Sequence, residues 1–317
     1  MADFYLGGTA LNQVWLGNTQ INDSQQRDFD KTGLIMWLDA DDASTISTST
    51  QGGETRVSSW LDKSGNSNNA TAPYQYNPAD SNTNLYGPKY TSSFAPMNGR
   101  GVMNFDLGIQ GGAGTDRGGM TYPNDIFNRP SDGYAMTMFI AFYTPDYFYG
   151  SPSQDFSPAF FSEGSGSGVT WSGIEFKPFW YGYQQQYANL YLMQGKYQDI
   201  AVDGGLILTT TSGSQSTWTD ETAYIMGFTS ENVYAAGSGS VASEMFVNTN
   251  TATTDLYGLS LPIPTTRDRI LGMNLADSAY PKNSLRGHIG EILVFNKYMD
   301  SAERTNVYNY LSRKWGI

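Results

Sequence analysis

The chain has 317 residues, a formal charge of −12 and a pI near 4.4, a balance that opposes phosphate backbones and anionic lipid, so neither nucleic acid nor a membrane surface is an expected partner. It contains no cysteine, which rules out a disulfide framework or a thiolate metal site, and no apolar run approaches the roughly 18 residues that a membrane helix needs. With 35 glycines, abundant Thr, Tyr, Ser and Asn, and few stretches of helical period, the composition is that of an all-β chain with many turns.

No charged n-region with an apolar h-region opens the chain, so no export signal is expected. The first residues repeat: Tyr5-Leu6-Gly7-Gly8-Thr9 is answered ten positions on by Trp15-Leu16-Gly17-Asn18-Thr19. Strand, glycine-containing turn and strand is the natural reading. A β unit this small has too little core to stand alone, so it must pack on its own domain, on a sister subunit or on another protein. Residues 1–26 are therefore expected to be a docking segment with Tyr5, Leu6, Trp15 and Leu16 as contact residues, and residues 27–317 the main domain; an extra edge hairpin on that domain is the alternative.

After a polar linker, Leu34, Met36 and Leu38 alternate with Ile35 and Trp37, a strand apolar on both faces that ends in the acidic turn Asp39, Asp41, Asp42. Residues 64–101 are rich in Asn, Ser, Pro and Gly and read as irregular loops, as does the glycine-rich stretch 108–119, which lacks the pattern of a phosphate-binding loop. Met136 to Tyr143 is a strong core strand, and segments 159–162, 188–193, 205–210, 223–229 and 269–275 supply shorter ones, with a spacing that suits a two-sheet sandwich.

Near the end, Ile289, Leu293 and Phe295 fall on one face of a strand and Ile292 and Val294 on the other, as in an interior strand covered from both sides. Asp300 followed by Glu303 is a capping-box pattern, so a helix is expected from Ser301 to Trp315, with Gly316 as its C-cap. Val307, Leu311 and Trp315 make its apolar stripe, with Arg304, Asn306, Asn309 and Arg313 placed elsewhere on its surface.

This ending resembles the closing strand and terminal helix of laminin-G-like, concanavalin-A-like jelly rolls of bacterial and phage surface proteins, through Gly287, Ile289, Glu291, Ile292, Val294, Asn296, Ala302, Glu303, Arg304, Val307, Tyr310, Leu311, Lys314, Trp315 and Gly316. Gly33 to Ser44 and Val57 to Thr71 are similar to the opening of the same domain, and Pro88 to Asp106 and Tyr134 to Asp146 to its next strands. The resemblance implies a two-sheet antiparallel jelly-roll sandwich with a short C-terminal helix and a small N-terminal β segment. It also implies a non-enzymatic virion structural protein, on the capsid or in a tail fibre of a bacteriophage, assembled in the host cytoplasm. Such a protein would join other virion proteins through its N-terminal segment, as a homo-oligomer. A carbohydrate-binding module reading a host surface glycan is the alternative, and a polysaccharide-cleaving enzyme the third reading.

The best candidate site joins Asp39 and Asp41 with Asp62, Ser64, Asn66 and Asn68, because alternating oxygen-bearing residues are what an irregular Ca²⁺ loop uses. The competing reading is that these side chains satisfy turn backbone groups around Gly65. No other cofactor is expected. His288, the single histidine, reads as structural, and Glu163, Glu175 and Glu291 stand isolated in the sequence without the paired-carboxylate signature of jelly-roll glucanases. The aromatic residues are assigned to core, interface and sugar stacking, in that order.

Overall fold

The computed structural model describes residues 29–72, 85–105, 117–122, 135–144, 221–231, 243–248, 268–272, 285 and 287–317, with strand segments at 5–6, 9–10, 13–16, 19–23, 161–165, 172–176, 178–179, 189–192 and 206–209. Among the described residues the fold is all-β, its ladders almost all antiparallel, with one α-helix, Ser301–Trp315, near the C-terminal end.

The main sheet has seven strands. The closing strand, His288–Phe295, lies in its interior: along one edge it pairs with the central strand Met136–Thr144, and along the other first with Arg100–Asn104 and then with the opening strand Leu34–Asp39. Beyond these lie Lys89–Phe94 on one side and Thr222–Ser230 with Ser243–Val247 on the other. A second layer runs from the hairpin Ile46–Gln51 and Glu54–Trp60 to Ala70–Thr71, crosses the bridges Thr71–Thr121 and Met120–Leu271, and continues through Asp268–Leu271, Phe161–Ser165 and Ser172–Phe176.

Each face of the main sheet buries its own apolar cluster. Met36, Leu38, Met138, Ile140, Ile292 and Val294 meet Val57, Trp60, Met120 and Leu271 of the second layer, while Phe139, Ala141, Leu293 and Phe295 meet Val307, Leu311 and Trp315 of the helix. The period-two alternation thus feeds a sandwich core on one side and a helix–sheet core on the other.

Ile289 departs from the expected alternation and joins the sandwich side with Ile292 and Val294. The cause is a bulge: Ala141 pairs with Glu291 and Phe142 with Ile289, which leaves Gly290 as the extra residue. A side chain at Gly290 would begin 2.7 Å from the Trp315 indole, so only glycine lets the helix approach here.

The turn 296–299 is fixed by a buried threonine pair, Thr137 and Thr229, whose hydroxyl oxygens lie 2.7 Å apart and both accept the Met299 N–H. The expected capping box forms: Asp300 accepts from the N–H groups of Ala302 and Glu303 at 2.9 Å, and Glu303 accepts from Asp300 N–H at 3.1 Å. Gly316 ends the helix at φ 72°. One expectation fails: Arg304 is buried, because it lies one turn before Val307 on the same stripe. Its guanidinium donates to Met299 O at 2.7 Å and pairs with Glu244 at 2.5 Å, so the stem packs while the charge is matched.

Lys89–Phe94 forms a strand where composition alone reads loop, since as the sheet's edge it is only half-buried and tolerates Lys, Thr and Ser. The N-terminal repeat forms two separate hairpins, Tyr5–Leu6 with Thr9–Ala10 and Gln13–Leu16 with Thr19–Asp23. Leu6 faces Thr9 as Leu16 faces Thr19, so each copy of the repeat is one hairpin. The side chains of Tyr5, Leu6, Trp15 and Leu16 lie outside the described residues, as do residues 108–116 of the glycine-rich stretch 108–119, whose end is not loop but the short strand Arg117–Gly118, paired in parallel with Leu85–Tyr86.

Candidate functional site

The chemistry-bearing side chains gather where the opening strand, the closing strand and the last helical turn meet. Glu291 is fully buried. One carboxylate oxygen accepts from Trp37 Nε1 at 2.6 Å and Tyr310 OH at 2.8 Å; the other accepts from Trp315 Nε1 at 2.9 Å and lies 2.9 Å from Lys314 Nζ. Lys314 Nζ also reaches Asp39 Oδ1 at 2.6 Å, and Asp39 Oδ2 lies 2.8 Å from Lys63 Nζ, which pairs in turn with Asp42 at 2.9 Å. The result is a chain of alternating charge, Asp42, Lys63, Asp39, Lys314, Glu291, leading from the surface into the helix–sheet core.

Burial pushes the Glu291 carboxyl above the usual carboxylate range, and nearby Asp39 adds to this while the Lys314 ammonium opposes it. For Lys63, burial works against the charge, but hydrogen bonds to Asp39 and Asp42 hold its pKa above the ordinary lysine value. Asp42 is held low by its hydrogen bond from the Ser44 hydroxyl and then by Lys63.

Sequence reasoning missed this network by treating Glu291 as isolated. The signal was present as one acid in an otherwise apolar strand, and in Lys314-Trp315, a cation beside the indole that closes the helical stripe.

The six residues of the candidate Ca²⁺ loop divide among different tasks. Asp39 serves the lysines, as above. Asp41 pairs with Arg100 at 2.8 Å and accepts from Gly101 N–H at 3.2 Å. Asp62, Ser64, Asn66 and Asn68 do converge, but on protein groups. Asp62 accepts from Trp37 N–H and Ser64 N–H at 2.8 Å, from Ser64 Oγ at 2.7 Å and from Asn68 N–H at 2.9 Å. Asn66 donates to Leu34 O at 3.1 Å and Asn68 to Ile35 O at 2.6 Å. The loop therefore supplies by side chains the hydrogen bonds that a neighbouring strand would give to the free edge of Leu34–Asp39. Among the described residues no group of three or more His, Cys, Asp or Glu side chains is arranged to hold a metal ion. We propose that this loop is an edge clamp. A calcium chelator is then expected to leave the thermal melting midpoint unchanged, whereas a lowered midpoint would mean an ion bound by the native state alone.

His288 stacks on Phe94 with ring centroids 4.2 Å apart and meets Tyr143 edge-on at 5.8 Å. No helix among the described residues is long and apolar enough to cross a membrane.

No protein-family model matches the sequence, and no curated protein matches it. Among solved structures, the chain is similar to domain 4 of AbnA, a GH43 extracellular arabinanase from Geobacillus stearothermophilus, at 14% identity and a TM-score of 0.47, covering 88% of this chain and 100% of that one. It is also similar to Trypanosoma rangeli sialidase (11% identity, TM-score 0.42) over 89% of this chain, but spans only 33% of the sialidase. The botulinum neurotoxin serotype G binding domain gives 11% identity and a TM-score of 0.45, with 87% of this chain and 50% of that one covered.

Proposed function

We propose that this chain is a non-enzymatic display module, a lectin-like β sandwich carried on a virion and docked through its N-terminal hairpins. The observation that supports the non-enzymatic part is the commitment, among the described residues, of the carboxylates nearest the candidate site; the side chains of Glu163 and Glu175 lie outside the described residues. Glu291 is sealed beneath the helix, Asp39 lies between two lysines, and Asp62 is filled by four donors. A glycosidase needs instead two carboxyl groups flanking an accessible bond, one of them free to give a proton.

The virion part rests on the resemblance of the two ends of the domain to phage surface proteins and on the repeat at residues 5–22, whose two hairpins are each too small to be stable unsupported. Partners would be other virion proteins and further copies of the chain. Glycan recognition is the second reading, supported by the lectin-like resemblance and by the many tyrosines and tryptophans, 22 and 7 in number, that can stack on sugar faces.

A single set of assays separates these readings. The intact protein is expected to leave a panel of bacterial polysaccharides uncleaved, and a chain lacking residues 1–26 to fold yet fail to join the particle. Cleavage of any polysaccharide contradicts the non-enzymatic reading, and normal assembly of the truncated chain contradicts docking. Selective binding on a glycan array would favour the second reading.

A further inference from the structure

The inner end of the charge chain has the geometry of a reaction as well as of an ion pair. Lys314 Nζ lies 2.6 Å from Asp39 Oδ1 and 2.9 Å from Glu291 Oε2. The three side chains are 13%, 6% and 0% exposed. Aromatic rings wall the amine: its nitrogen is 5.1 Å from the Trp315 ring centroid and 5.7 Å from that of Tyr310. On the other side of Asp39, Lys63 donates to Oδ2 at 2.8 Å. A nucleophile, an acyl group, a buried acid and a cation on the second acyl oxygen are thus held together without substrate, cofactor or oxidant.

We propose that Lys314 and Asp39 condense to an intramolecular amide, a covalent clasp between the opening strand and the terminal helix, with Glu291 as the proton-transfer group. Lys314 Nζ first passes a proton to the Asp39 carboxylate, whose Oδ1 lies 2.6 Å away, which leaves a neutral amine beside a neutral acid. The Nζ lone pair attacks Asp39 Cγ and the new C–N bond forms. Negative charge gathers on Oδ2, where Lys63 already donates. Glu291 takes a proton from the nitrogen and returns one to Oδ1. The Cγ–Oδ1 bond then breaks and one water leaves. Ammonium plus carboxylate becomes amide plus water, with net charge unchanged and Glu291 regenerated.

Three features favour this over a permanent salt bridge. The reacting pair is held on rigid elements, strand and helix, which removes the entropy of encounter. Burial raises the Glu291 carboxyl, which suits a group that takes up a proton and passes it on. The two residues lie 275 positions apart, so the bond would close nearly the whole domain into a loop, the case in which a cross-link constrains the unfolded chain most.

Intact-mass spectrometry of the full chain under denaturing conditions tests this directly. The expected result is a mass lower than that of the sequence by one water, with a peptide containing Asp39 joined to one containing Lys314. Lys314→Arg keeps the cation but cannot form this amide, so it should restore the full mass, as should Glu291→Gln if Glu291 carries the proton. A wild-type chain at full sequence mass overturns the proposal, whether or not the variants fold, and so does a water loss that maps to other residues. A Glu291→Gln chain that still forms the joined peptide overturns the role given to Glu291.

Discussion

Glu291→Ala is expected to destabilise the domain by about 3–5 kcal/mol, the usual cost of removing the shared acceptor from a buried, hydrogen-bonded polar network. The size follows from what is left behind. Lys314 loses its deeper partner, and the donors of Trp37, Tyr310 and Trp315 lose their common acceptor, a carboxylate that is itself fully buried. Urea unfolding measures it; a loss no larger than that of an exposed substitution would mean that the network carries little of the docking. In the Lys314→Arg background, where no amide forms, Glu291→Gln should be milder than Glu291→Ala, because one carbonyl oxygen can still serve Trp37 and Tyr310. The sign of the pH effect also follows. Between the ordinary carboxylate range and its raised value, Glu291 holds in the folded protein a proton that the unfolded chain has released. Its contribution to stability therefore falls as pH rises through that window, and the fall should vanish in Glu291→Gln.

Trp315→Ala is the other large effect, again about 3–5 kcal/mol by the usual cost of emptying an aromatic site in a core. The indole is wholly buried, covers Gly290 and donates to Glu291, so its loss removes packing and a hydrogen bond together. Arg313→Ala, two residues away on the exposed side of the helix, should change stability by no more than about 0.5 kcal/mol. Equal, small effects from the two substitutions would make the helix a loose tail.

What the sequence makes legible here is local. The capping box at Asp300 and Glu303, the glycine that ends the helix, the apolar stripe and the two-faced closing strand each sit within one turn or one strand, and each appears in the structure. So do the hairpins of the ten-residue repeat. The bulge at Gly290 is hidden because one inserted residue leaves no mark in a strand that is apolar on both faces, and it reassigns Ile289. Arg304 misleads because a long stem can pack in a core when its charge finds a partner on another strand, here Glu244.

The network around Glu291 escapes for a third reason. Its partners come from 254 positions upstream, at Trp37, and 24 downstream, at Trp315, and only the register of strand on strand brings them together. The acidic ladder Asp62, Ser64, Asn66 and Asn68 suits a cation loop and an edge clamp equally well in sequence. What distinguishes them is the neighbouring strand edge, whose free carbonyls and N–H the ladder meets.

The central claim is that Glu291 and the terminal helix form one unit that closes the fold. A double-mutant cycle with Glu291→Gln and Trp315→Phe, run in the Lys314→Arg background so that none of the four proteins carries the amide, tests it most directly, since the first change keeps the volume, the second keeps an aromatic ring, and both remove the shared contact between Trp315 Nε1 and Glu291. The expected result is a double variant less destabilised than the sum of the single ones, with a coupling of about 1–3 kcal/mol. Additivity to within about 0.5 kcal/mol would show that indole and carboxylate act independently, and would contradict the account.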